Sequence, residues 1–178
     1  MRTTRLLPCA LALCVASAAA AQTIRTDYDK NADFTKFKTF AFREGTPAPT
    51  PFVQQRIEAA IASELEARGM TRASGDPDLL VFTHTQVSTE KVVDVDHFGY
   101  RGYYGWRGAS GSTSVNVREI PVGTVMVDLV NAKPNEIAWR GIAQDTLSTN
   151  PTPEKSEKRI QKAMAKLFKK YPVPKPEK

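Results

Sequence analysis

Cysteine is nearly absent from this sequence of 178 residues. Its two cysteines, Cys9 and Cys14, both lie in an N-terminal segment that we expect to be removed from the mature chain. Disulfides, thiol catalysis and cysteine metal sites are therefore excluded. Histidine is equally rare, since His84 and His97 are the two in the chain.

Long hydrophobic runs are also missing. The apolar run over residues 6–16 is shorter than the roughly 20 residues that a membrane-spanning helix needs. It follows the basic residues Arg2 and Arg5 and precedes three alanines that end at Ala21, which is the pattern of a secretory signal peptide. We predict that residues 1–21 are removed, that the protein is exported, and that it is periplasmic.

A lipid anchor in the outer membrane is the less favoured alternative. Lipidation requires a small residue just before the modified cysteine, whereas Pro8 precedes Cys9 and Leu13 precedes Cys14. The formal net charge of +6 includes Arg2 and Arg5. The remaining positive charge is small, so it favours solubility and indicates no particular partner. No nucleic-acid partner is expected of an exported protein.

The stretch 123–147 predicts two strands joined by a short polar turn. In the register that we propose, Asn131 faces Ile137, and Asp128 lies opposite Arg140 on one face. The other face carries three facing pairs, Val125 with Ala143, Val127 with Gly141, and Leu129 with Trp139. A shift by one residue would lose both the apolar pairs and the pair of Asp128 with Arg140, so the register is well specified.

Four further strands are predicted over residues 23–28, 36–42, 79 to about 91, and 114–120. Pro121 interrupts the last one, which indicates a bulge or an edge position. Residues 94–114 are read as a long loop between two strands. His84 is expected to be a half-buried strand residue with a hydrogen-bond partner.

Apolar residues at helical spacing predict two helices. The first covers residues 51–68 with its stripe at Val53, Ile57, Ile61 and Leu65, and Gly69 ends it. Within it, Glu64 and Arg68 are spaced for an ion pair worth about 0.2–0.5 kcal/mol. The second helix starts at Pro153 after the N-cap Thr152. Its stripe is formed by Ile160, Met164, Leu167, Phe168 and Tyr171.

These elements predict an α+β two-layer sandwich, with a mostly antiparallel sheet and both helices packed on one face. The covered face is the one that carries Val127 and Trp139. Residues 22–172 form a single domain in this interpretation, and residues 173–178 form a loose tail.

Several segments together resemble one family. They are Thr26-Asp27-Tyr28-Asp29, Gly75-Asp76-Pro77-Asp78, the Gly/Tyr-rich loop, residues 123–130 and Ala138-Trp139-Arg140-Gly141. They are similar to domain of unknown function 4136, an envelope family of Gram-negative bacteria whose members are mostly classed as lipoproteins. The resemblance implies an envelope location, and it offers no catalytic residues to carry over.

No residue pattern predicts a catalytic centre, a metal site or a cofactor. Asp94, Asp96 and His97 cluster in sequence, but in a strand the two aspartates would share a face while the histidine points away. An envelope hydrolase that uses these three residues is kept as an alternative. The carboxylates of Asp76 and Asp78 are expected to bond the local backbone of a turn.

Two surface features indicate binding. Glycine recurs at every third position between Gly99 and Gly111, and aromatic and arginine residues lie between. The candidate contact residues are Tyr100, Arg101, Tyr103, Tyr104, Trp106 and Arg107. They would suit an envelope protein or a glycan. Alternatively, the rings fold back and cover the second face of the sheet.

The second feature is a row of lysines on the last helix, at Lys155, Lys158, Lys162, Lys166 and Lys169. Such a row can lie on an anionic membrane, but the solvated face of a packed helix is the favoured interpretation. We therefore expect a non-catalytic binding or structural module. The alternatives are the hydrolase and a structural protein associated with a membrane surface.

Overall fold

The computed structural model describes residues 22–97 and 113–172. A short 3-10 turn, Phe34–Lys36, lies between the first two strands. The strands are β1 (Thr23–Tyr28), β2 (Thr39–Thr46), β3 (Thr71–Arg72), β4 (Leu79–His97), β5 (Thr113–Asn131) and β6 (Glu136–Thr146), and the helices are α1 (Pro51–Glu66) and α2 (Pro153–Phe168).

The strands form one sheet in the order β1-β6-β5-β4-β2-β3. β1, β6, β5 and β4 are antiparallel neighbours, whereas β2 runs parallel to both β4 and β3. The predicted α+β sandwich with a mostly antiparallel sheet is confirmed. α1 lies in the connection between β2 and β4. These strands are parallel neighbours, and parallel neighbours need a crossover connection.

The predicted hairpin is β5 with β6. Val125 faces Ala143, Val127 faces Gly141, Leu129 faces Trp139 and Asp128 faces Arg140, as the alternation predicts. The prediction for the turn end is wrong, because Asn131 faces Glu136 and Val130 faces Ile137 after a register shift. The extra residue is Ala138, which is buried while the backbone there bulges.

Both helices lie on the sheet face that carries Val127, Leu129 and Trp139. Trp139 is fully buried, and its ring centroid lies 5.1 Å from that of Phe168 in α2. The predicted stripes form the rest of the layer, with Ile57, Ile61, Leu65, Met164 and Leu167 buried. Removing this apolar surface from water is the main stabilisation of the fold.

The predicted N-cap Thr152 and the predicted terminator Gly69 are confirmed, and Thr50 is an N-cap that was not predicted. The side chain of Thr50 accepts a hydrogen bond from the Val53 N–H at the start of α1, and Thr152 does the same for Lys155 in α2. Gly69 has a φ of 84°, the left-handed conformation that ends a helix. α1 ends at Glu66, two residues before the predicted Arg68.

The boundaries of two predicted segments are wrong. The strand expected over residues 36–42 begins at Thr39 instead, because Asp33 accepts from the N–H and hydroxyl of Thr35 and holds Phe34–Lys36 in a 3-10 turn. The loop expected over 94–114 is shorter, since β4 continues to His97 and β5 begins at Thr113.

Pro121 lies within β5, opposite Thr89 of β4, and the β4–β5 register continues through it. The predicted interruption at Pro121 is therefore wrong, because the strand expected over 114–120 and the first strand of the hairpin are one strand. The pairing of β5 with β6 ends beside it, at Val122 with Thr146. Pro121 therefore marks the place where β5 becomes an edge strand, which agrees with the edge alternative. In the described parts of the chain, no helix has the length and apolar character that crossing a bilayer requires.

Candidate functional site

The predicted contact residues Tyr100, Arg101, Tyr103, Tyr104, Trp106 and Arg107 lie outside the described residues. The strands that lead to them are described. β4 and β5 stay paired as far as His97 opposite Thr113, whereas the pairing with β2 ends at His84 and the pairing with β6 ends at Val122. Residues 88–97 and 113–121 therefore form a two-stranded arm, about 30 Å long at roughly 3.3 Å per residue.

The arm exposes apolar side chains. Val93 and Val117 face each other across the two strands, and 55% and 57% of their surface is accessible. Lys91 and Glu119 form an ion pair of 3.8 Å on the same strands, and both side chains are exposed. Such a pair contributes little to stability. The arm thus has a surface open to contact, in contrast to the face of the body that the helices cover.

Asp94, Asp96 and His97 are the last residues of β4 in sequence. Their backbone pairs with Asn116, Ser114 and Thr113, and their side chains lie outside the described part of the structure. The hydrolase hypothesis therefore stays a prediction. Among the described residues, no group of three or more His, Cys, Asp or Glu side chains could hold a metal ion.

His84 has the half-buried position and the partner that its place in the strand predicts. Its Nδ1 lies 3.1 Å from the backbone N of Thr46, which donates to it, and the Thr46 hydroxyl lies 3.0 Å from the same atom. A ring nitrogen that accepts from a backbone N–H is unprotonated, so the other nitrogen carries the proton in the neutral ring. This histidine joins the end of β2 to β4.

The hydrogen-bond partners of Asp78 differ from the local turn partners that were predicted. Its Oδ2 accepts from the backbone N–H of Lys38 at 2.9 Å and of Thr39 at 3.0 Å, and from the Thr39 hydroxyl at 3.0 Å. These donors belong to the start of β2, about forty positions away, and not to the local turn. The hydrogen bonds, led by that from Lys38, lower the pKa of Asp78. Its function is to fix the start of β2 beside β4.

The pair of Asp128 and Arg140 has the predicted cross-strand geometry. Arg140 donates from Nε and from an Nη to the two carboxylate oxygens, each at 2.6 Å. The hydrogen bond to Asp128 raises the pKa of Arg140. A bidentate pair on the face opposite the helices rigidifies the sheet, and it shows no feature of a catalytic dyad.

Glu64 and Arg68 form the predicted ion pair, but it is not the weak surface pair expected. The Arg68 and Glu64 side chains are 3% and 11% exposed, with 2.8 Å between their charged atoms. Arg68 also donates to the backbone oxygen of Phe168 at 2.5 Å and lies over the rings of Phe168 and Tyr171. Burial raises the pKa of Tyr171. This cluster links the C-terminal ends of the two helices.

A cleft between the two helices and the sheet was missed by sequence reasoning. It has a volume of about 250 Å³, and its walls come from α1, α2, β4, β5 and β6. The apolar lining is formed by Ala48, Val53, Ile57, Val125, Ala143, Leu147, Ile160, Ala163 and Met164. Helical periodicity identified four of these residues as facing the core and strand alternation identified two, but neither pattern could show that a space remains between them.

Polar groups are present at the rim of the cleft. Arg159 forms an ion pair with Asp145 at 3.0 Å and donates to the backbone oxygen of Thr146. Gln22 donates to the same carboxylate at 2.9 Å. The cleft can therefore hold an apolar group inside and a polar group at its mouth. No nucleophile paired with a base is found among these lining residues.

The model of DUF4136, a domain of unknown function, matches residues 24–173. The chain belongs to the DUF4136 family. This confirms the resemblance carried by the Asp128 and Trp139-Arg140-Gly141 hairpin. No curated protein matches this DUF4136 chain significantly.

Solved structures share the fold of this DUF4136 protein. A DUF4136 family protein from Bacteroides thetaiotaomicron is 17% identical with a TM-score of 0.51, over 85% of this chain and 96% of the other. A PelC dodecamer from Paraburkholderia phytofirmans is 14% identical with a TM-score of 0.50, over 83% and 95%. A PDZ domain protein from Parabacteroides distasonis is 18% identical with a TM-score of 0.57, over 87% of this chain. The chain spans 37% of that last protein.

Proposed function

We propose that this protein is an exported, non-catalytic binding module of the cell envelope. It contacts an envelope protein or glycan through the aromatic segment 98–112. The contact residues are Tyr100, Arg101, Tyr103, Tyr104, Trp106 and Arg107. The proposed periplasmic location rests on the signal-peptide pattern before Gln22.

The observation that carries this proposal is the arm. The aromatic segment connects the two strands of the arm. Along the arm these strands pair with each other and no longer with β2 or β6, and no other described strand flanks them. Tyrosine and tryptophan bring large contact area at low conformational cost, and arginine adds hydrogen-bond donors. A two-stranded arm with such residues in the connection between its strands suits contact with a large partner more than turnover of a small substrate.

The packing of α2 supports a body that folds without a membrane. Its stripe residues Met164, Leu167 and Phe168 are buried against the sheet, so the helix has no free apolar face to insert into lipid. The lysines of α2 lie on its exposed side. This exposure supports our interpretation that they are the solvated face of a packed helix.

The test is sedimentation with purified peptidoglycan sacculi, before and after protease treatment of the sacculi. The wild-type protein is compared with a variant in which Tyr100, Tyr103, Tyr104 and Trp106 are changed to alanine. We expect the variant to lose at least about tenfold in affinity, and to keep its free energy of unfolding within about 0.5 kcal/mol. Phe52→Ala is the matched control, because Phe52 is an exposed aromatic residue of α1.

The protease step separates the two partner classes. Binding that survives digestion indicates a glycan, and binding that disappears indicates a protein attached to the sacculus. Equal binding by the wild-type and the four-alanine proteins, with both folded, would remove the aromatic segment from the proposal. A loss with Phe52→Ala of the same size would show that any exposed ring contributes.

A further inference from the structure

We propose that the cleft between α1, α2 and the sheet binds one aliphatic chain of a monomeric anionic amphiphile such as a fatty acid. The charged group of the ligand would lie at the mouth, beside Arg159. The inference concerns a site in the body of the protein. It is therefore independent of the function proposed for the arm.

The chemistry of the lining determines the ligand class. The apolar side chains that line the cleft are aliphatic, and none of its described lining residues is aromatic. A planar ligand would have no ring to stack on, whereas a flexible chain can follow valine, isoleucine and methionine surfaces. The volume of about 250 Å³ is below the roughly 300–1,000 Å³ of typical ligand pockets, so the space suits one slender chain.

The burial of the lining gives the cleft a floor and a mouth. Ile57 and Met164 are each 1% exposed and Ala143 is 5% exposed, so they form the floor. Leu147 is 37% exposed, which places it toward solvent. A Cβ added at Gly123 would lie 2.8 Å from Leu147 Cδ2, so the glycine leaves room for this leucine to lie against β5.

The charges at the mouth favour an anion. Asp145 forms an ion pair with Arg159 and accepts a hydrogen bond from Gln22, so its negative charge is compensated. Arg159 remains 38% exposed at its side chain. Lys155 lies one helical turn before Arg159 on an exposed part of α2, and residues four apart are neighbours on a helix. Arg159 and Asp145 compensate each other, so Lys155 leaves an excess of positive charge among these three groups.

The wild-type protein offers a direct test, because three of its methionines are separate reporters. Met164 lines the cleft, Met70 is buried in the core outside it, and Met126 lies on the opposite side of the sheet from Val127, with which it alternates. With ¹³C-methyl-labelled methionine, sodium dodecanoate below its micelle concentration should shift the Met164 signal saturably. The signals of Met126 and Met70 should stay in place.

Variants test the two halves of the site. Ala163→Phe fills the cleft with a ring and should weaken dodecanoate binding at least about tenfold, and Arg159→Gln should weaken it by about threefold to tenfold. Lys158→Gln is the matched control, because Lys158 is the adjacent residue of α2 and does not line the cleft. Dodecyltrimethylammonium, which has the same chain and the opposite charge, should bind at least about tenfold more weakly than dodecanoate.

Four results would overturn the proposal. The first is a folded wild-type protein whose Met164 signal does not move, or moves without saturation. The second is a shift of the Met126 signal instead of the Met164 signal, which would put the ligand on the open face of the sheet. The third is equal binding of dodecanoate and dodecyltrimethylammonium. Binding to phosphatidylglycerol vesicles without dodecanoate binding would also contradict a cleft for a monomeric ligand.

Discussion

Gly141 shows how one residue fixes the packing of the sheet against α2. A Cβ at this position would lie 2.8 Å from Leu167 Cδ1 and 2.9 Å from Cζ3 of Trp139. Real side-chain atoms do not approach so closely, so the tryptophan ring occupies the space that a side chain at 141 would need. The Trp139-Arg140-Gly141 motif thus has a packing reason, and no catalytic role is needed to explain it.

Gly141→Ala should therefore destabilise the protein by about 1–3 kcal/mol, because Trp139 or Leu167 must move in a close-packed core. Urea unfolding followed by the fluorescence of buried Trp139 measures this. Gly75→Ala is the control, since a Cβ there meets no atom within 4 Å. We expect it to change the free energy of unfolding by less than about 0.5 kcal/mol. Equal effects of the two changes would refute the packing explanation.

Asp78 gives a prediction with a pH dependence. Its pKa is lowered in the folded state, so the ionised carboxylate stabilises the fold at pH values above its unfolded pKa of about 3.9. This stabilisation is lost as the pH falls through that value toward the folded pKa. Asp78→Asn should cost about 1–3 kcal/mol at pH 7, and the difference from wild type should shrink below about pH 4.

Urea unfolding of both proteins at several pH values provides the measurement. Asp76→Asn is the control, because Asp76 is exposed in the preceding turn. A cost for Asp78→Asn that stays constant between pH 7 and about pH 3 would show that the carboxylate charge is not the stabilising element.

The buried Arg68 cluster should be the most sensitive polar site in the body. Arg68→Met leaves Glu64 buried without this partner, so we expect a loss of about 3–5 kcal/mol. Glu64→Met combined with Arg68→Met should cost less than the sum of the two single changes, because no charge remains buried. Arg25→Met, at an exposed position of β1, is the control. Additive single effects would contradict a direct coupling of these two residues.

At the scale of elements, β4 has two parts with different support. Residues 79–84 lie between β5 and β2 and are covered by helices, whereas residues 88–93 pair with β5 alone. A two-stranded ribbon is marginally stable in water, and amides in such regions open locally. Amides of 88–93 that bond to β5 should exchange at least about tenfold faster than those of 79–84. Uniform protection by hydrogen-exchange mass spectrometry would refute a separate arm.

Elements in which apolar residues recur at a regular spacing could be predicted from the sequence. The β5–β6 hairpin was predictable because two independent matches, the apolar pairs and Asp128 with Arg140, agree on one register. Both helices were predictable from their apolar stripes, and the second also from its N-cap Thr152. In each case one amphipathic pattern has one way to bury its apolar side.

Other features depend on contacts that no local pattern contains. The bulge at Ala138 breaks the alternation at the hairpin end, and the extension of β4 to His97 continues a strand through residues that lack a clear pattern. Asp78 binds donors about forty positions away. The cleft is lined by segments that are far apart in the chain, so its existence follows only from the packed structure.

At the scale of the molecule, folding and binding are assigned to different parts. The buried residues of both helices and of the sheet around Trp139 form one apolar core, and this core accounts for stability. The arm extends from it and leads to the aromatic segment, where we place binding. Changes in that segment should therefore alter binding without unfolding the body.

The most direct measurement is site-specific photo-crosslinking in cells, with a benzophenone amino acid placed at Tyr103 or, as the control, at Phe52. Neither position is among the described residues of the core. Phe52 is exposed on α1, and position 103 lies in sequence between the two arm strands. The account predicts crosslinks to an envelope protein or to peptidoglycan from position 103 and none to that partner from position 52. The same partner captured from position 52, or no crosslink from position 103, would contradict it.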